Sequence, residues 1–200
     1  MLNKKEEKYL NDITYEGEWG LVFKDRIKIS PDGIEWKGKL YKLEDIEYTG
    51  WGMIRHSVNG IPTSTERIVR FGYGPYFERI DLGKEVYPKF IDCLWRAVSG
   101  RIIKNILEDF KYKRESYFTD KITDEGIQYD EHNWFSKDVH KFYTWKEIKL
   151  SSYDGSLCIN GIDDKPLASY SYLGDNVHML EAILNLAIKK KVNRLSDLLG

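Results

Sequence analysis

The sequence predicts a mainly β protein with helices, built from two tandem copies of one unit that ends in an amphipathic helix. The copies are visible because residues 29–36 (ISPDGIEW) are echoed by residues 122–129 (ITDEGIQY), and residues 40–46 (LYKLEDI) by residues 142–148 (FYTWKEI). Towards the end of each copy the apolar spacing changes from alternation, which is typical of strands, to a period near 3.6, which is typical of a helix. A repeat of this kind decides how every other feature is interpreted.

The composition indicates a globular protein without a strong overall charge. The chain has 200 residues, of which 42% are hydrophobic, 14% aromatic and 32% charged, and its formal net charge is -1. If the chain forms two units, each has slightly fewer than about a hundred residues, which is enough to hold its own core. The balance of charges supplies no field that would recruit nucleic acid or an anionic membrane, so we expect no nucleic-acid partner.

Cysteine usage and the absence of long apolar runs favour a cytoplasmic protein. Two cysteines are too few for a disulfide framework, and no CxxC spacing suggests a zinc or redox site. Cys93 lies on a predicted helix and Cys158 in a predicted strand, where a thiol behaves as a small apolar side chain. The sequence contains neither a signal-peptide core nor an apolar run of roughly eighteen residues.

The first copy is expected over residues 21–112, after a polar and irregular arm at residues 1–20 that holds at most a short helix. Ile27 and Ile29, and then Ile34 and Trp36, alternate with polar residues on either side of Pro31-Asp32-Gly33, which predicts a hairpin. Proline presets its own φ at about -65° and glycine accepts a positive φ, so this tripeptide suits a turn.

Three more strands and one helix complete the first copy. The strands are predicted at residues 40–48, 53–58 and 67–71, and Asn59-Gly60 is the predicted turn between the last two. Apolar residues then recur at helical spacing, which predicts one amphipathic helix over residues 85–110 with Gly100 as its weak point.

The second copy is expected over residues 113–200 with the same order of elements. Its strands are predicted around residues 142–150, 157–159 and 167–172, and Asn160-Gly161 is interpreted as the counterpart of Asn59-Gly60. Its helix is predicted over residues 176–191. Residues 192–199 either continue that helix or start a short one.

The alignment of the two copies at the first hairpin has two solutions in the sequence. One pairs Ile29 with Ile122, and the other pairs Phe23 with Phe118. The two solutions differ by two residues, so inward side chains stay inward in both. In either case Gly33 and Gly126 are expected to take a positive φ.

These segments together resemble the bacterial pleckstrin-homology-like (PH-like) domains that occur in tandem. The resemblance rests on the D-G-I turn, the L-Y-x-L-x-D-I segment, the I-N-G-I-like hairpin and the terminal helix, and it covers residues 21–110 and 117–200. It implies that each unit is a bent antiparallel sandwich or partly open barrel closed by its C-terminal helix. It also implies a non-catalytic cytoplasmic binding or scaffolding protein whose partner is a protein or peptide.

No arrangement of residues predicts catalysis, a metal or a cofactor. The four histidines lie in different predicted elements without HxH or HExxH spacing, and no G-x-S-x-G segment is present. They are His56, His132, His140 and His178. Gly72-Tyr73-Gly74 lacks the third glycine of a phosphate-binding loop. We therefore expect no enzyme, no cofactor and no metal site, while an immunity-type inhibitor and an unrecognised active site are the alternatives.

The charges of the first hairpin argue against a lipid ligand. Lipid-binding members of the larger PH superfamily hold inositol phosphates with a lysine and an Arg-x-Arg around this hairpin. Here Arg26 and Lys28 precede the predicted turn and Lys37 and Lys39 follow it, interspersed with acidic residues. A membrane lipid is thus a weaker alternative, and binding to anionic vesicles is expected to be weak and abolished by moderate salt.

Aromatic residues that have little counterpart in the second copy are the predicted partner-binding surface. Aromatic side chains near glycine and proline either plug the core or contact a partner. The candidates are Trp51, Tyr73, Tyr76 and Phe77, and Arg55 and His56 are expected to flank them as polar anchors.

The second copy has its own insertion at residues 131–140. It contains Trp134 and Phe135, two apolar residues in a polar loop. We expect these two side chains to cover the seam between the copies.

Overall fold

The computed structural model describes residues 12–112, 118, 121–131 and 139–200, and β-strands are the main element of this part of the chain. It contains four antiparallel sheets and two long helices, and none of the described sheets closes into a barrel. The mainly β prediction is confirmed. The chain divides into two compact units: the first ends at Ile102 and also contains Leu173–Asp175, and the second comprises Ile103–Tyr172 and Asn176–Gly200.

The first unit begins with a four-stranded antiparallel meander. Its strands, in their order across the sheet, are β1 (Tyr15–Trp19), β2 (Asp25–Ser30), β3 (Gly33–Trp36) and β4 (Lys39–Tyr41). The predicted hairpin is confirmed, because Ile27 faces Trp36 and Ile29 faces Ile34 across β2 and β3. All four side chains are buried, so one face of this sheet lies in the core.

Strand β1 corrects the expectation of an irregular arm up to residue 20. Its five residues pair with β2, from Tyr15 opposite Ile29 to Trp19 opposite Asp25. Gly17 is the buried residue of the strand, and a Cβ there would lie 2.7 Å from Val86 Cγ1. The sequence prediction is wrong because the central inward position holds no side chain, so the alternation of Tyr15 and Trp19 with Glu16 and Glu18 is interrupted at Gly17.

A three-stranded antiparallel meander and a helix complete the first unit. They are β5 (Tyr48–Val58), β6 (Ile61–Tyr73), β7 (Tyr76–Asp81) and α1 (Tyr87–Tyr112), of which the residues up to Ile102 belong to the first unit. The predicted Asn59-Gly60 turn is confirmed, since both residues have the positive φ (51° and 80°) that a type I′ turn requires. Helix α1 buries Phe90, Leu94 and Val98, and it continues through Gly100.

The second unit contains a two-stranded and a three-stranded antiparallel sheet followed by a helix. The elements are β8 (Gly126–Glu131), β9 (Val139–Thr144), β10 (Ile148–Tyr153), β11 (Ser156–Gly161), β12 (Pro166–Ser171) and α2 (Val177–Lys190). Helix α2 buries Leu180, Ile183 and Leu184, which confirms the predicted apolar spacing. A short 3-10 helix at Leu195–Leu199 follows, so the last residues do not continue α2.

Both strands predicted directly after the first hairpin are interrupted. In the first unit β4 ends at Tyr41 and β5 begins at Tyr48, with a 3-10 helix at Leu43–Asp45 between them. In the second unit β9 ends at Thr144 and β10 begins at Ile148. The expectation of one continuous strand in each copy is wrong, because the chain leaves one sheet here and enters the next, and such corners need a bend.

Asn160-Gly161 does not form the turn that is equivalent to Asn59-Gly60. The turn between β10 and β11 is Asp154-Gly155, and both residues have positive φ (46° and 71°). This Asp-Gly turn is therefore the counterpart of Asn59-Gly60, whereas Asn160-Gly161 ends β11. The expected correspondence is wrong because Asp-Gly suits a type I′ turn as well as Asn-Gly does.

The first hairpin of each unit decides between the two alignments of the copies. Ile29 faces Ile34 in the first unit, and Ile122 bridges Ile127 in the second. The structure therefore pairs Ile29 with Ile122. The same core position is filled by isoleucine on both strands in both units.

The glycine of this hairpin serves the two units differently. Gly33 has the expected positive φ (149°), but Gly126 is not among the described glycines with positive φ, so that expectation is wrong. In the second unit Thr123 Oγ1 accepts hydrogen bonds from the backbone N–H groups of Glu125 and Gly126. This side chain closes the turn without a left-handed residue at Gly126.

Candidate functional site

Three of the predicted contact residues lie together where β6 meets β7 in the first unit. Tyr73 and Tyr76 face each other at the end of the hairpin, and Phe77 pairs with Gly72 beside them. Their side chains are exposed, with 67% of Tyr76 and 55% of Phe77 accessible to solvent. The rings of Tyr73 and Tyr76 lie 5.8 Å apart. We call residues 73–77 the aromatic turn.

The backbone of the aromatic turn is held by two neighbouring residues at the start of β5. The Tyr48 hydroxyl lies 2.7 Å from the Tyr76 carbonyl oxygen and 3.0 Å from the Gly74 carbonyl oxygen, and it donates towards both. The Glu47 carboxylate accepts a hydrogen bond from the Gly74 backbone N–H at 2.9 Å. Hydrogen bonds to an ionised group are stronger than neutral ones, so this turn has a well-fixed shape.

Gly72 is required by close packing within the turn. A Cβ on this residue would lie 2.1 Å from the Tyr76 carbonyl oxygen. Gly74 is favoured for its backbone conformation and not for close packing, because it has a positive φ of 50° and a Cβ there would meet no atom within 4 Å. The Gly72-Tyr73-Gly74 segment therefore belongs to a β-hairpin, and its glycines serve backbone geometry.

Arg70 fixes the last aromatic ring of the site. Its guanidinium carbon lies 5.0 Å from the centre of the Phe77 ring, and its Nη1 donates a hydrogen bond to the Leu173 carbonyl oxygen at 2.6 Å. The same nitrogen lies 3.6 Å from the Asp175 carboxylate. Arg70 and Leu173–Asp175 all belong to the first unit. The cation thus holds one face of Phe77 and leaves the rest of the ring accessible.

Tyr41 links β4 to the strand that follows the aromatic turn. Its hydroxyl donates a hydrogen bond to the Glu78 carboxylate, and its ring stands edge-on to Phe71 with centroids 5.3 Å apart. Burial raises the pKa of Tyr41 to about 12, and the hydrogen bond to Glu78 adds to the shift. Tyr41 is therefore a neutral donor at physiological pH.

Trp51 does not belong to the exposed surface, which corrects the prediction for this residue. Only 9% of its side chain is accessible, and it stands edge-on to Trp95 of α1 with centroids 6.1 Å apart. Trp51 lies opposite Val69 on β6, within the buried part of the sheet. An indole in this position packs the core and cannot contact a partner.

Arg55 and His56 are exposed but do not flank the aromatic turn, which is a second correction. Arg55 lies seven residue steps beyond Tyr48 along β5, and at 3.4 Å per step this is a distance of about 24 Å. Arg55 lies opposite Thr65, and His56 contacts the Glu66 carboxylate at 3.0 Å. Both residues sit on the far part of the β5–β6 hairpin.

The sequence did not indicate the residues that hold the turn. Tyr48 and Glu47 act on atoms that lie 26 to 28 residues further along the chain, and no spacing rule connects them. Trp134 and Phe135, which were expected to cover a seam, lie outside the described residues. In the described part of the chain, no group of three or more His, Cys, Asp and Glu side chains is arranged to hold a metal ion.

Searches of protein-family models, of curated proteins and of solved structures give no match to this chain. No helix in the described ranges combines the length and the apolar character needed to cross a membrane.

Proposed function

We propose that this chain is a non-catalytic binding protein made of two PH-like units, and that it binds a protein or peptide at the aromatic turn of the first unit. The observation that carries the proposal is the contrast within this turn between exposed side chains and a fixed backbone. Aromatic side chains dominate many interfaces because they bury a large area while few rotamers are lost. A backbone that is already ordered lowers the entropic cost of binding further.

The order of elements supports the assignment of PH-like units. In the first unit a four-stranded meander is followed by a three-stranded meander and a long helix. In the second unit β8 and β9 are followed by a three-stranded meander and a helix. A bent sandwich or partly open barrel with a C-terminal helix has this order of strands.

The ionisable groups support a non-catalytic role. General acid–base catalysis needs a group whose pKa lies near the working pH. Burial raises the pKa of Tyr41 and of the Cys93 thiol, and hydrogen bonds from Thr144 lower the pKa of Glu147. Each of these shifts leads away from neutrality, so the three groups keep their ordinary protonation states. A cytoplasmic location, as the sequence predicts, belongs to the same proposal.

The test is affinity capture with the full chain as bait in a native cell extract, followed by titration of the purified partner. Replacement of Tyr76 and Phe77 by alanine is expected to weaken binding by about tenfold or more, because both rings would be buried in the interface. The matched control is Tyr153→Ala. Tyr153 is an exposed tyrosine at the end of β10 in the second unit, and its loss is expected to change the affinity by less than about twofold.

Thermal melts of all variants accompany the titrations. Tyr76→Ala and Phe77→Ala should melt close to the parent because their side chains are exposed. If both variants bind with parental affinity, or if Tyr153→Ala has the larger effect, the aromatic turn is not the partner-binding surface. If Tyr76→Ala unfolded the protein, the Tyr76 ring would belong to the core. The aromatic turn would then not be a contact surface.

A further inference from the structure

The turn that leads into β8 already holds a short peptide segment of the second unit. The carbonyl oxygen of Asp124 accepts a hydrogen bond from the Leu195 backbone N–H at 2.8 Å. The carboxylate of Asp124 accepts two more from Ser196, one from its backbone N–H at 2.8 Å and one from its hydroxyl at 2.7 Å. Leu195 is fully buried. We call residues 193–196 the docked segment.

The side chains around this turn match the residues of the docked segment. Arg194 is ion-paired with the Glu125 carboxylate at 2.7 Å, and Lys146 Nζ donates a hydrogen bond to the Asn193 side-chain oxygen at 2.7 Å. The indole N–H of Trp145 donates to the same carbonyl oxygen that binds the docked segment. The four residues of this receptor site are Asp124, Glu125, Trp145 and Lys146.

The equivalent residues of the first unit line a cleft. The alignment that pairs Ile29 with Ile122 places the two turns in register, and residues 40–46 correspond to residues 142–148. The counterparts of the four receptor residues are Pro31, Asp32, Leu43 and Glu44. All four line one cleft of about 520 Å³, and Leu40 beside them is 53% accessible. The repeat therefore carries the receptor site in both units.

The two units differ in the chain that follows the helix. Helix α2 ends before Lys191, whose positive φ of 55° turns the chain back towards Asp124. The equivalent residue of α1 is Arg101, where the helix continues to Tyr112. The chain of the first unit does not turn back at this point. Its cleft is therefore open to a segment of another molecule.

The charges of the cleft indicate which residues such a segment carries. Asp32 keeps the negative charge of Glu125, so it favours a cation at the place of Arg194. Glu44 stands where the second unit has Lys146, so the preceding position of the segment should be cationic as well. Opposite charges at matching places raise both affinity and selectivity.

The lysine that lies within the cleft is a weak competitor for these carboxylates. Lys42 is 3.7 Å from Glu44, and 61% and 75% of the two side chains are accessible. Exposed ion pairs of this kind contribute little, so a cation of the segment can take the place of Lys42. Glu35 at the edge of the cleft is paired with Lys28 at 2.7 Å. Selection of the segment therefore depends on Asp32 and Glu44.

We propose that the cleft of the first unit binds a short segment of a partner protein in which two successive cationic residues are followed by leucine. The cations lie opposite Glu44 and Asp32, and the leucine packs against Leu40 and Leu43. The leucine N–H donates to the Pro31 carbonyl oxygen, as in the docked segment. Burial of the leucine adds an attraction that does not depend on charge. The lining residues of the cleft differ from those of the aromatic turn, so this site is additional to the proposed partner-binding surface.

The test is a fluorescence-anisotropy titration of the full chain with two labelled peptides. One has the sequence of residues 191–199, and the other is the same peptide with Asn193→Lys. The parent should bind the lysine peptide about threefold or more tightly than the asparagine peptide, because Glu44 attracts the added cation. Asp32→Lys should weaken binding of the lysine peptide by about threefold to tenfold, because an attraction becomes a repulsion. Glu44→Lys should reverse the preference between the peptides, because a lysine at this position contacts asparagine in the second unit.

The matched control is Glu85→Lys, which makes the same change of charge at an exposed residue of the first unit outside the cleft. This variant should bind the lysine peptide like the parent. Tyr76→Ala should also bind it like the parent, so failure of this site and failure of the aromatic turn can be told apart.

Absence of binding by the parent, equal affinity for the two peptides, or an equal loss in Glu85→Lys would each overturn the proposal. A loss in Glu125→Lys that Asp32→Lys does not show would do the same, because the peptide would then occupy the second unit. Circular dichroism checks that each variant is folded. If Asp32→Lys does not fold, the reversal of preference in Glu44→Lys decides the question, and an unchanged preference there contradicts the proposal.

Discussion

The hairpins around Gly33 and Gly126 share one close backbone contact, whereas the sheets that follow them differ in strand length. A Cβ on Gly33 would lie 2.4 Å from the Tyr41 carbonyl oxygen, and a Cβ on Gly126 would lie 2.1 Å from the Tyr143 carbonyl oxygen. By contrast β5 and β6 have 11 and 13 residues, while β10 and β11 have 6 each. The repeat therefore preserves the close backbone approach that the fold requires, and the two units diverge where their surface is exposed.

The two units differ in the residues that support the connection between the last two strands of each three-stranded sheet. In the first unit Glu47 follows the buried Ile46 and binds the backbone of the aromatic turn. In the second unit Lys149 follows the buried Ile148 and is ion-paired with Asp164, in the connection between β11 and β12. The residue after the buried isoleucine therefore contacts the equivalent connection in both units, and it is acidic in the first unit and basic in the second. Only the first unit adds the Tyr48 hydroxyl, because Leu150 stands at the matching place.

The largest effects are expected where both units share a helical core position. Phe90 of α1 and Leu180 of α2 are each 0% accessible. Phe90→Ala should lower the free energy of unfolding by about 3 to 5 kcal/mol and Leu180→Ala by about 2 to 5 kcal/mol, since each leaves a cavity. Denaturant titration measures both, with the half-exposed Leu186→Ala as a control that should cost less than about 1 kcal/mol. If only one of Phe90→Ala and Leu180→Ala lowered the free energy of unfolding by this much, the two helical positions would not be equivalent in the repeat.

The shared glycine contact should come next in size. Gly33→Ala and Gly126→Ala should each lower the free energy of unfolding by about 1 to 3 kcal/mol, because a methyl group would collide with a backbone carbonyl. Gly155→Ala is the control, since its φ is 71° but no atom lies within 4 Å of the added Cβ. This variant should lose about 1 to 2 kcal/mol from its backbone conformation alone. Melting of Gly126→Ala like the parent would contradict the shared contact.

The support that is specific to the first unit should have a smaller effect on stability. Tyr48→Phe removes the hydroxyl that donates to the aromatic turn and should cost about 1 to 2 kcal/mol, because the carbonyl oxygens of Gly74 and Tyr76 lose the one O–H that they share. Tyr73→Phe removes an exposed hydroxyl and should change the free energy of unfolding by less than about 0.5 kcal/mol. Equal effects of the two substitutions would show that Tyr48 does not hold the turn.

The smallest effect is expected at alkaline pH. The pKa of Tyr41 is raised in the folded protein to about 12 from an ordinary value of 10.0. The folded state therefore binds this proton more tightly than the unfolded state, so the stabilisation is fully present below pH 10 and is lost as pH rises towards 12. Tyr41→Phe should show a shallower fall in stability across this range than the parent. Parallel curves would contradict the burial of the phenol.

The parts of the fold that were predictable from sequence are those set by local patterns. The β2–β3 hairpin followed from alternation around Pro31-Asp32-Gly33, and both helices followed from their apolar spacing. Strand β1 was missed because Gly17 replaces the apolar residue of its inward face. The corner after β4 was missed because Tyr41 before it and Ile46 and Tyr48 after it are residue types typical of strands.

The site was only partly predictable because exposure depends on tertiary contacts. Trp51 and Tyr76 are both aromatic residues of the β5–β7 sheet, yet Trp51 packs on α1 while Tyr76 faces solvent. The difference comes from Trp95, whose place beside Trp51 no local pattern indicates. The supports of the turn were missed for the same reason, since Tyr48 and Gly74 meet only in the folded sheet.

Oxidative footprinting of the chain with and without its captured partner tests the central claim most directly. It reports the accessibility of Tyr76, Phe77 and Tyr153 within one sample, and all three are exposed in the free chain. If the aromatic turn of the first unit is the contact surface, the partner should protect Tyr76 and Phe77 from oxidation and leave Tyr153 unchanged. Protection of Tyr153 alone, or no protection of Tyr76, would contradict it.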